Sequence, residues 1–374
     1  MKKTLISSAV IAVLSSAAHA EAPTYGGSAS QGVENQCIVQ FNDAVAKQNV
    51  HGLAHGLAKR AGSSVKHVYK HSIKGMTINM PCHAAQKAFA NDANVTRFTP
   101  DGVVSANRGK PNPNPDPDPQ VLPWSVTRVG GPVDGSSYTA WVIDSGIDLD
   151  HPDLNIDADR GFTAIKDGKN YSMDDLDGHG THVAGTIAAI DNDIGVVGVA
   201  AGATVVPVRV LDRKGFGSWS GIIAGVDHVA ENAAPGDCAN MSLGGGVNQA
   251  VDDAVVAAAS NGIIFAIAAG NDGQHADNST PARANGENVY TISATQSDDS
   301  LVSWSNFGNP PVDYAAPGVS ILSLYKDGGT ATMSGTSMAS PAACAVLMLS
   351  NGNPSTDGVA GNDPDGTPDP IITL

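Results

Sequence analysis

From residue 139 onward, short apolar runs alternate with Ala-rich stretches of helical period. The pattern predicts strands over 139–143, 205–210, 239–243 and 263–268, with helices over 179–190, 218–231 and 247–260 between them. Strands that read as continuous apolar runs are buried on both faces, and helical crossovers between them make neighbouring strands parallel. The predicted class is therefore α/β, a parallel sheet with helices on both faces. No internal repeat interrupts it.

Ahead of this region residues 109–119 read GKPNPNPDPDP. Proline at alternate positions enforces extended, solvated backbone, so this stretch is the predicted domain boundary. Residues 36–106 read as a small α+β sandwich: strand 37–41, helix 44–60, a strand pair within 65–80, helix 83–90 and strand 95–98. At the start, Lys2 and Lys3 precede an apolar run over 5–18 that ends in Ala18-His19-Ala20. Those are the three zones of a secretory signal, and the run is shorter than the about 20 apolar residues of a membrane span. The expected partition is a signal over 1–20, an N-terminal unit over 21–107, a linker over 108–119, an α/β domain over 120–350 and an Asn/Asp/Pro/Gly-rich tail over 351–374.

The formal charge of −16 argues against nucleic-acid binding, which draws its affinity from Lys and Arg neutralising phosphates. Residues 1–119 hold 12 Lys+Arg against 7 Asp+Glu, leaving 9 against 30 for the rest, so the two parts attract each other. Export permits disulfides, and four cysteines allow three full pairings. Cys37 opens the first predicted strand and Cys82 follows the third, which places them on neighbouring strands and predicts a bond between them. Cys238, at the start of a central strand, and Cys344, on a late helix, are expected as buried free thiols, their pairing not being fixed by sequence.

Three blocks carry chemistry. The strand Ala140-Trp141-Val142-Ile143 runs into Asp144, placing a carboxylate at the carboxyl end of a parallel strand, the edge where open α/β sheets hold ligands. GHGTHVAG (178–185) puts His179 at a helix start after a glycine turn. His179 and His182 lack the i, i+4 spacing and intervening Glu of helical zinc proteases, and His182 reads as a packed helix residue. SGTSMASP (334–341) puts Ser337 at the start of an apolar helix to about Leu349; Ala339 breaks the G-x-S-x-G pattern of α/β-hydrolases, which disfavours a lipase or esterase.

The blocks WVIDSGIDLDHPDL (141–154), DGHGTHVAGT (177–186), AAGND (268–272) and GTSMASP (335–341) resemble signatures of the subtilase, or subtilisin-like, serine protease family over about residues 120–350. The order Asp, His, Ser is the one known for subtilisin. The resemblance implies that Ser337 is the nucleophile, His179 the general base and then acid, and Asp144 the group orienting the imidazole, with the Asn271 amide and the Ser337 backbone N–H as oxyanion donors. It also implies that the N-terminal sandwich is an inhibitory, chaperone-like propeptide removed by self-cleavage between residues 105 and 119. Ser242, Leu243, Gly244 and Gly245 would pair with an extended peptide and line the pocket for the residue before the scissile bond, with uncharged Ser279 at its floor. That favours apolar or aromatic residues there, within broad specificity. A structural Ca2+ is implied, held by side-chain oxygens of Gln120, Asp153 and Asn192 and carbonyls of Ile190, Ile194 and Val196; six oxygens suit calcium. The partners expected are polypeptide substrates and the propeptide itself, for a monomer that is extracellular or periplasmic. Where the family commonly has His after the block ending in Pro341, this chain has Ala342.

Overall fold

The computed structural model describes residues 32–114, 119–166 and 171–374. The expected signal over 1–20 lies outside the described residues. Most of the C-terminal part is built on a ten-stranded sheet. From one edge the strands run Phe162–Thr163, Thr204–Arg209, Thr139–Asp144, Cys238–Met241, Ile264–Ala268, Val289–Thr295, Val312–Pro317, Pro370–Thr373 and Ser355–Val359, and Asn155–Ile156 also pairs with Thr204–Arg209. Pairing is parallel throughout except between the last two.

Alternation along Thr139–Asp144 explains the two-sided core. Trp141 and Ile143 face one apolar cluster, under the helices Trp219–Asn232 and Gln249–Ala259. Ala140 and Val142 face the other, under His179–Ala188 and Thr336–Leu349. Residues at i and i+2 share a face of a strand, so an unbroken apolar run needs cover on both sides, as predicted. Local caps set the helix starts: Ser218 Oγ accepts from Gly221 N, and Asn248 Oδ1 from Ala250 N and Val251 N.

The N-terminal unit is a four-stranded antiparallel sheet in the order Val65–Tyr69, Gly75–Ile78, Cys37–Phe41, Val95–Pro100, with helices Val50–Arg60 and Cys82–Phe89. The first helix begins later than the predicted residue 44. Asn42 Oδ1 accepts from Ala44 N and closes a turn, and a short 3-10 segment Lys47–Asn49 follows. The predicted Cys37–Cys82 disulfide is present, with Cα atoms 4.7 Å apart, but Cys82 opens the helix Cys82–Phe89 rather than lying on a strand beside Cys37–Phe41.

The expectation of free thiols at Cys238 and Cys344 is overturned: they form a disulfide, with Cα atoms 5.9 Å apart. The helix Thr336–Leu349 packs directly on the strand Cys238–Met241, which brings both buried side chains into one cluster. Part of the predicted linker also departs from a solvated chain, because Asn112–Asn114 pairs antiparallel with Gly329–Met333. The tail adds two strands to the main sheet. Its composition reads as loop, yet Ile371 and Ile372 are fully buried. Among the described residues no helix is long and apolar enough to cross a membrane.

Candidate active site

The site lies at the carboxyl ends of the central strands. Asp144 ends Thr139–Asp144, Ser242 and Leu243 follow Cys238–Met241, and Asn271 follows Ile264–Ala268. His179 is the first residue of its helix and Ser337 the second of its own. Gly180 lets the His179 helix seat against the loop after Asp144, since a Cβ there would fall 2.0 Å from the Gly146 carbonyl oxygen.

Asp144 Oδ1 and His179 Nδ1 are 2.7 Å apart, both residues fully buried. A carboxylate only accepts, so Nδ1 carries the hydrogen and Nε2 is the basic nitrogen. Nε2 makes no hydrogen bond among the described residues. The Ser337 hydroxyl donates instead to the Ser242 carbonyl oxygen at 3.0 Å. Asn271 Oδ1 accepts from Thr336 N at 2.9 Å and from Thr336 Oγ1 at 2.8 Å, which fixes the other end of the amide. The donor Asn271 Nδ2 and the Asn107 carbonyl oxygen both crowd Gly335, where a Cβ would meet them at 3.2 and 2.6 Å.

A peptide already fills the cleft, and it is the chain's own. Val103–Ala106 is the middle strand between Phe216–Ser218 and Leu243–Gly244, antiparallel to both. Asn107 N donates to Ser242 O at 3.2 Å, and Ser337 N donates to Asn107 O at 3.4 Å. The Asn107 side chain packs against Gly244 beside a cavity of about 370 Å³ whose lining includes Gly245, Asn271, Asp272, Asn278 and Ser279. Of the residues predicted for this pocket, Gly244, Gly245 and Ser279 line the cavity, with polar and acidic groups at 271, 272 and 278 beside them, whereas Ser242 and Leu243 meet the strand's backbone at Asn107 and Ala106.

The predicted calcium residues are also gathered. Gln120 Nε2 lies 2.7 Å from Ile190 O, 3.2 Å from Asn192 Oδ1, 3.0 Å from Ile194 O and 3.0 Å from Val196 O. The Asp153 carboxylate adjoins this set, accepting from Asn192 Nδ2 at 2.7 Å and Val196 N at 3.3 Å. His182 is fully buried and its Nε2 donates to Ile321 O and Ala331 O, each at 3.1 Å, so it is a packed helix residue as predicted.

Sequence reading gave no role to Asp175, Ser145, Thr336, Arg108 or Asp177. Asp175 accepts from Ser145 Oγ, Asp177 N, Gly178 N, Thr181 N and Thr181 Oγ1, and so holds the start of the His179 helix. Its signal was legible as an acidic residue just ahead of a helix N-terminus. Arg108 Nη2 meets the carboxylate of Asp177, and nothing local in the sequence pairs residues 69 positions apart.

The Subtilase family model matches residues 136–359, more than half of the chain and the span that contains Asp144, His179, Asn271 and Ser337. The chain belongs to the subtilase family of serine proteases. It is 38% identical to Alkaline serine exoprotease A of Vibrio alginolyticus over 76% of this chain, spanning about half (53%) of that protein's length. It is 37% identical to Extracellular serine proteinase of Thermus sp. (strain Rt41A) over 75% of this chain and 67% of that one. Among solved structures, a cold adapted subtilisin-like serine proteinase superposes with a TM-score of 0.58 at 37% identity, covering 67% of this chain and 97% of its own.

Proposed function

We propose that the chain is a secreted subtilisin-like serine endopeptidase, made as a precursor that cuts away its own N-terminal unit. The observation that carries this reading is the Asn107 carbonyl. It rests on the Ser337 backbone N–H, and the four residues before it run as a strand in the cleft, the pose of a peptide about to be cut.

In this reading Ser337 Oγ turns from the Ser242 carbonyl to His179 Nε2 and gives up its proton as it attacks the Asn107 carbonyl carbon. Asp144 holds the imidazole in the tautomer that accepts at Nε2 and steadies the imidazolium. Ser337 N–H and Asn271 Nδ2–H stabilise the oxyanion, and removing such an amide costs about 100- to 1000-fold in turnover in the known subtilisin case. His179 then protonates the departing Arg108 nitrogen as the Asn107–Arg108 C–N bond breaks. Water activated by His179 hydrolyses the acyl-enzyme and leaves an Asn107 carboxylate. The N-terminal unit then stays as a bound inhibitor, and other polypeptides are cut with broad specificity. The open glycine wall and uncharged Ser279 support apolar or aromatic residues before the scissile bond, and the pocket's polar lining supports Asn107 in cis.

Calcium belongs to this reading as a structural ion. Four oxygens converge on Gln120 Nε2, more than the two hydrogens of an amide can satisfy, and Asp153 adjoins them with a negative charge. That donor set fits a hard cation held by Gln120, Asp153, Ile190, Asn192, Ile194 and Val196. Bound there, the ion would brace the loop at the end of the His179 helix.

The purified protein should hydrolyse casein, and N-terminal sequencing of the mature form should begin at Arg108. The Ser337→Ala variant should remain a full-length precursor. Processing of that variant in a preparation free of other proteases, or casein left intact by the wild type, would refute the reading.

A further inference from the structure

The residue on the far side of the proposed scissile bond is held as firmly as the one before it. Gly109 N donates to Ser334 O at 2.9 Å, and Asn112–Asn114 continues as a strand on the edge of Gly329–Met333. These backbone bonds fix where residue 108 sits whatever its side chain is. From that position Arg108 Nη2 reaches both carboxylate oxygens of Asp177 at 2.6 Å, with side-chain exposures of only 15% for Arg108 and 5% for Asp177.

Asp177 is built into the scaffold. Its Oδ1 accepts from His179 N at 3.2 Å, and its carbonyl accepts from Tyr325 Oη at 3.0 Å. The ring of Tyr325 lies against Gly178, where a Cβ would fall 2.1 Å from it. The carboxylate cannot swing into solvent without disturbing the helix start. Burial pushes its pKa up, and Arg108 is the foremost group opposing that push, followed by His179, while Asp175 and Asp144 add to it. A buried carboxylate among other acids, with a neutral residue facing it, bears an uncompensated desolvation cost.

We propose that Asp177 makes the pocket for the residue after the scissile bond selective for a guanidinium, so that the enzyme prefers to cut in front of arginine. This deepens the protease reading above and rests on it. One nitrogen, Nη2, makes both contacts, and guanidinium is favoured over ammonium because it is the more weakly hydrated cation and gives up less solvation where water is excluded. A glutamate in place of Arg108 would face the Asp177 carboxylate, like charge against like.

The test uses the self-cleaved enzyme and quenched peptides that share residues 103–107 before the scissile bond and carry Arg, Lys, Ala or Glu after it. The expected order in kcat/KM is Arg, Lys, Ala, Glu, with Arg about 10-fold or more above Ala, the worth of one charge-assisted hydrogen bond. In Asp177→Asn the Arg-to-Ala ratio should fall towards one, and Asp177→Glu should retain a preference. The ratio is taken within each variant, so loss of active enzyme does not move it. A ratio near one in the wild type, or one unchanged in Asp177→Asn, overturns the proposal while casein hydrolysis leaves the protease reading standing. If neither casein nor any peptide is cut, the protease reading falls and this proposal with it.

Discussion

Ser242 and Ser337 are joined by two reciprocal hydrogen bonds: Ser242 Oγ donates to Ser337 O at 2.9 Å, and Ser337 Oγ donates to Ser242 O at 3.0 Å. The first exists because of Pro341. Four residues on from Ser337 in the same helix, Pro341 has no N–H to offer, so the Ser337 carbonyl is left for Ser242. Both serines are fully buried, and Ser242→Ala therefore strands an acceptor at a cost of about 1–3 kcal/mol. Differential scanning fluorimetry in a Ser337→Ala background should show a drop of about 2–4 °C per kcal/mol. Adding Pro341→Ala supplies an N–H, so the double change should destabilise by less than the two single changes together. Strict additivity would contradict this coupling.

Asp227 receives four groups from one turn of the N-terminal unit: the backbone N–H of Lys70, His71 and Ser72 and the Ser72 hydroxyl. Nearby, Tyr69 Oη donates to Ser220 O and Asp101 Oδ1 accepts from Ser220 N, so the helix Trp219–Asn232 is gripped at its first turn and again past its middle. Net charge favoured association, and this carboxylate gives it a location. Asp227→Ala should weaken retention of the cleaved N-terminal unit by about 10-fold or more, because each hydrogen bond to a charged group contributes about 1.5–3 kcal/mol. Inhibition of the mature enzyme by the unit is the measurement, and an unchanged inhibition constant would remove Asp227 from the interface.

Chelation probes the Gln120 site separately from the triad. An ion bound to the folded state at 100 times its dissociation constant stabilises by about 2.7 kcal/mol. EDTA should lower the melting temperature and speed self-digestion, and in Asp153→Ala the melting temperature should be lower already and respond less to EDTA. Equal melting in EDTA and calcium for the unaltered protein would count against the site.

What could be read from sequence was whatever is carried by contiguous residues. Asp144 and Asn271 follow apolar strands whose unbroken runs demanded a two-sided sheet, and His179 and Ser337 open helices with glycine turns before them, so their placement at one edge followed. Three features were hidden because distant packing decides them. The Cys238–Cys344 bond depends on a helix lying over a strand 106 residues earlier. The strand Val103–Ala106 is four residues long, and its partners are two short strands, of three and two residues, in the other part of the chain. The tail's strand Pro370–Thr373 sits among Asp, Pro and Gly, and the burial of Ile371 beside Ala315 outweighs that local composition.

His182 gives the fold an acid-sensitive element whose sign can be worked out. Burial, reinforced by the neighbouring charge of His179, pushes its pKa down from 6.5 to about 3. Between those values the unfolded chain binds a proton that the folded chain refuses, so stability falls as pH drops from about 6.5 towards 3. The largest slope from this one group is about 1.4 kcal/mol per pH unit. Asp252, Asp313 and Asp369, each pushed up to about 6 by burial, act in the opposite direction, because the folded chain binds their protons first. Comparison with His182→Gln in the Ser337→Ala background cancels those carboxylates. The variant should be less stable at pH 7, having lost the Nε2–H bonds to Ile321 and Ala331 that tie the helix to the antiparallel pair Ile321–Tyr325 and Gly329–Met333. Its disadvantage should shrink steadily from pH 6.5 to pH 4, read as converging melting temperatures, and a constant gap across that range would show that His182 is not held neutral by its burial.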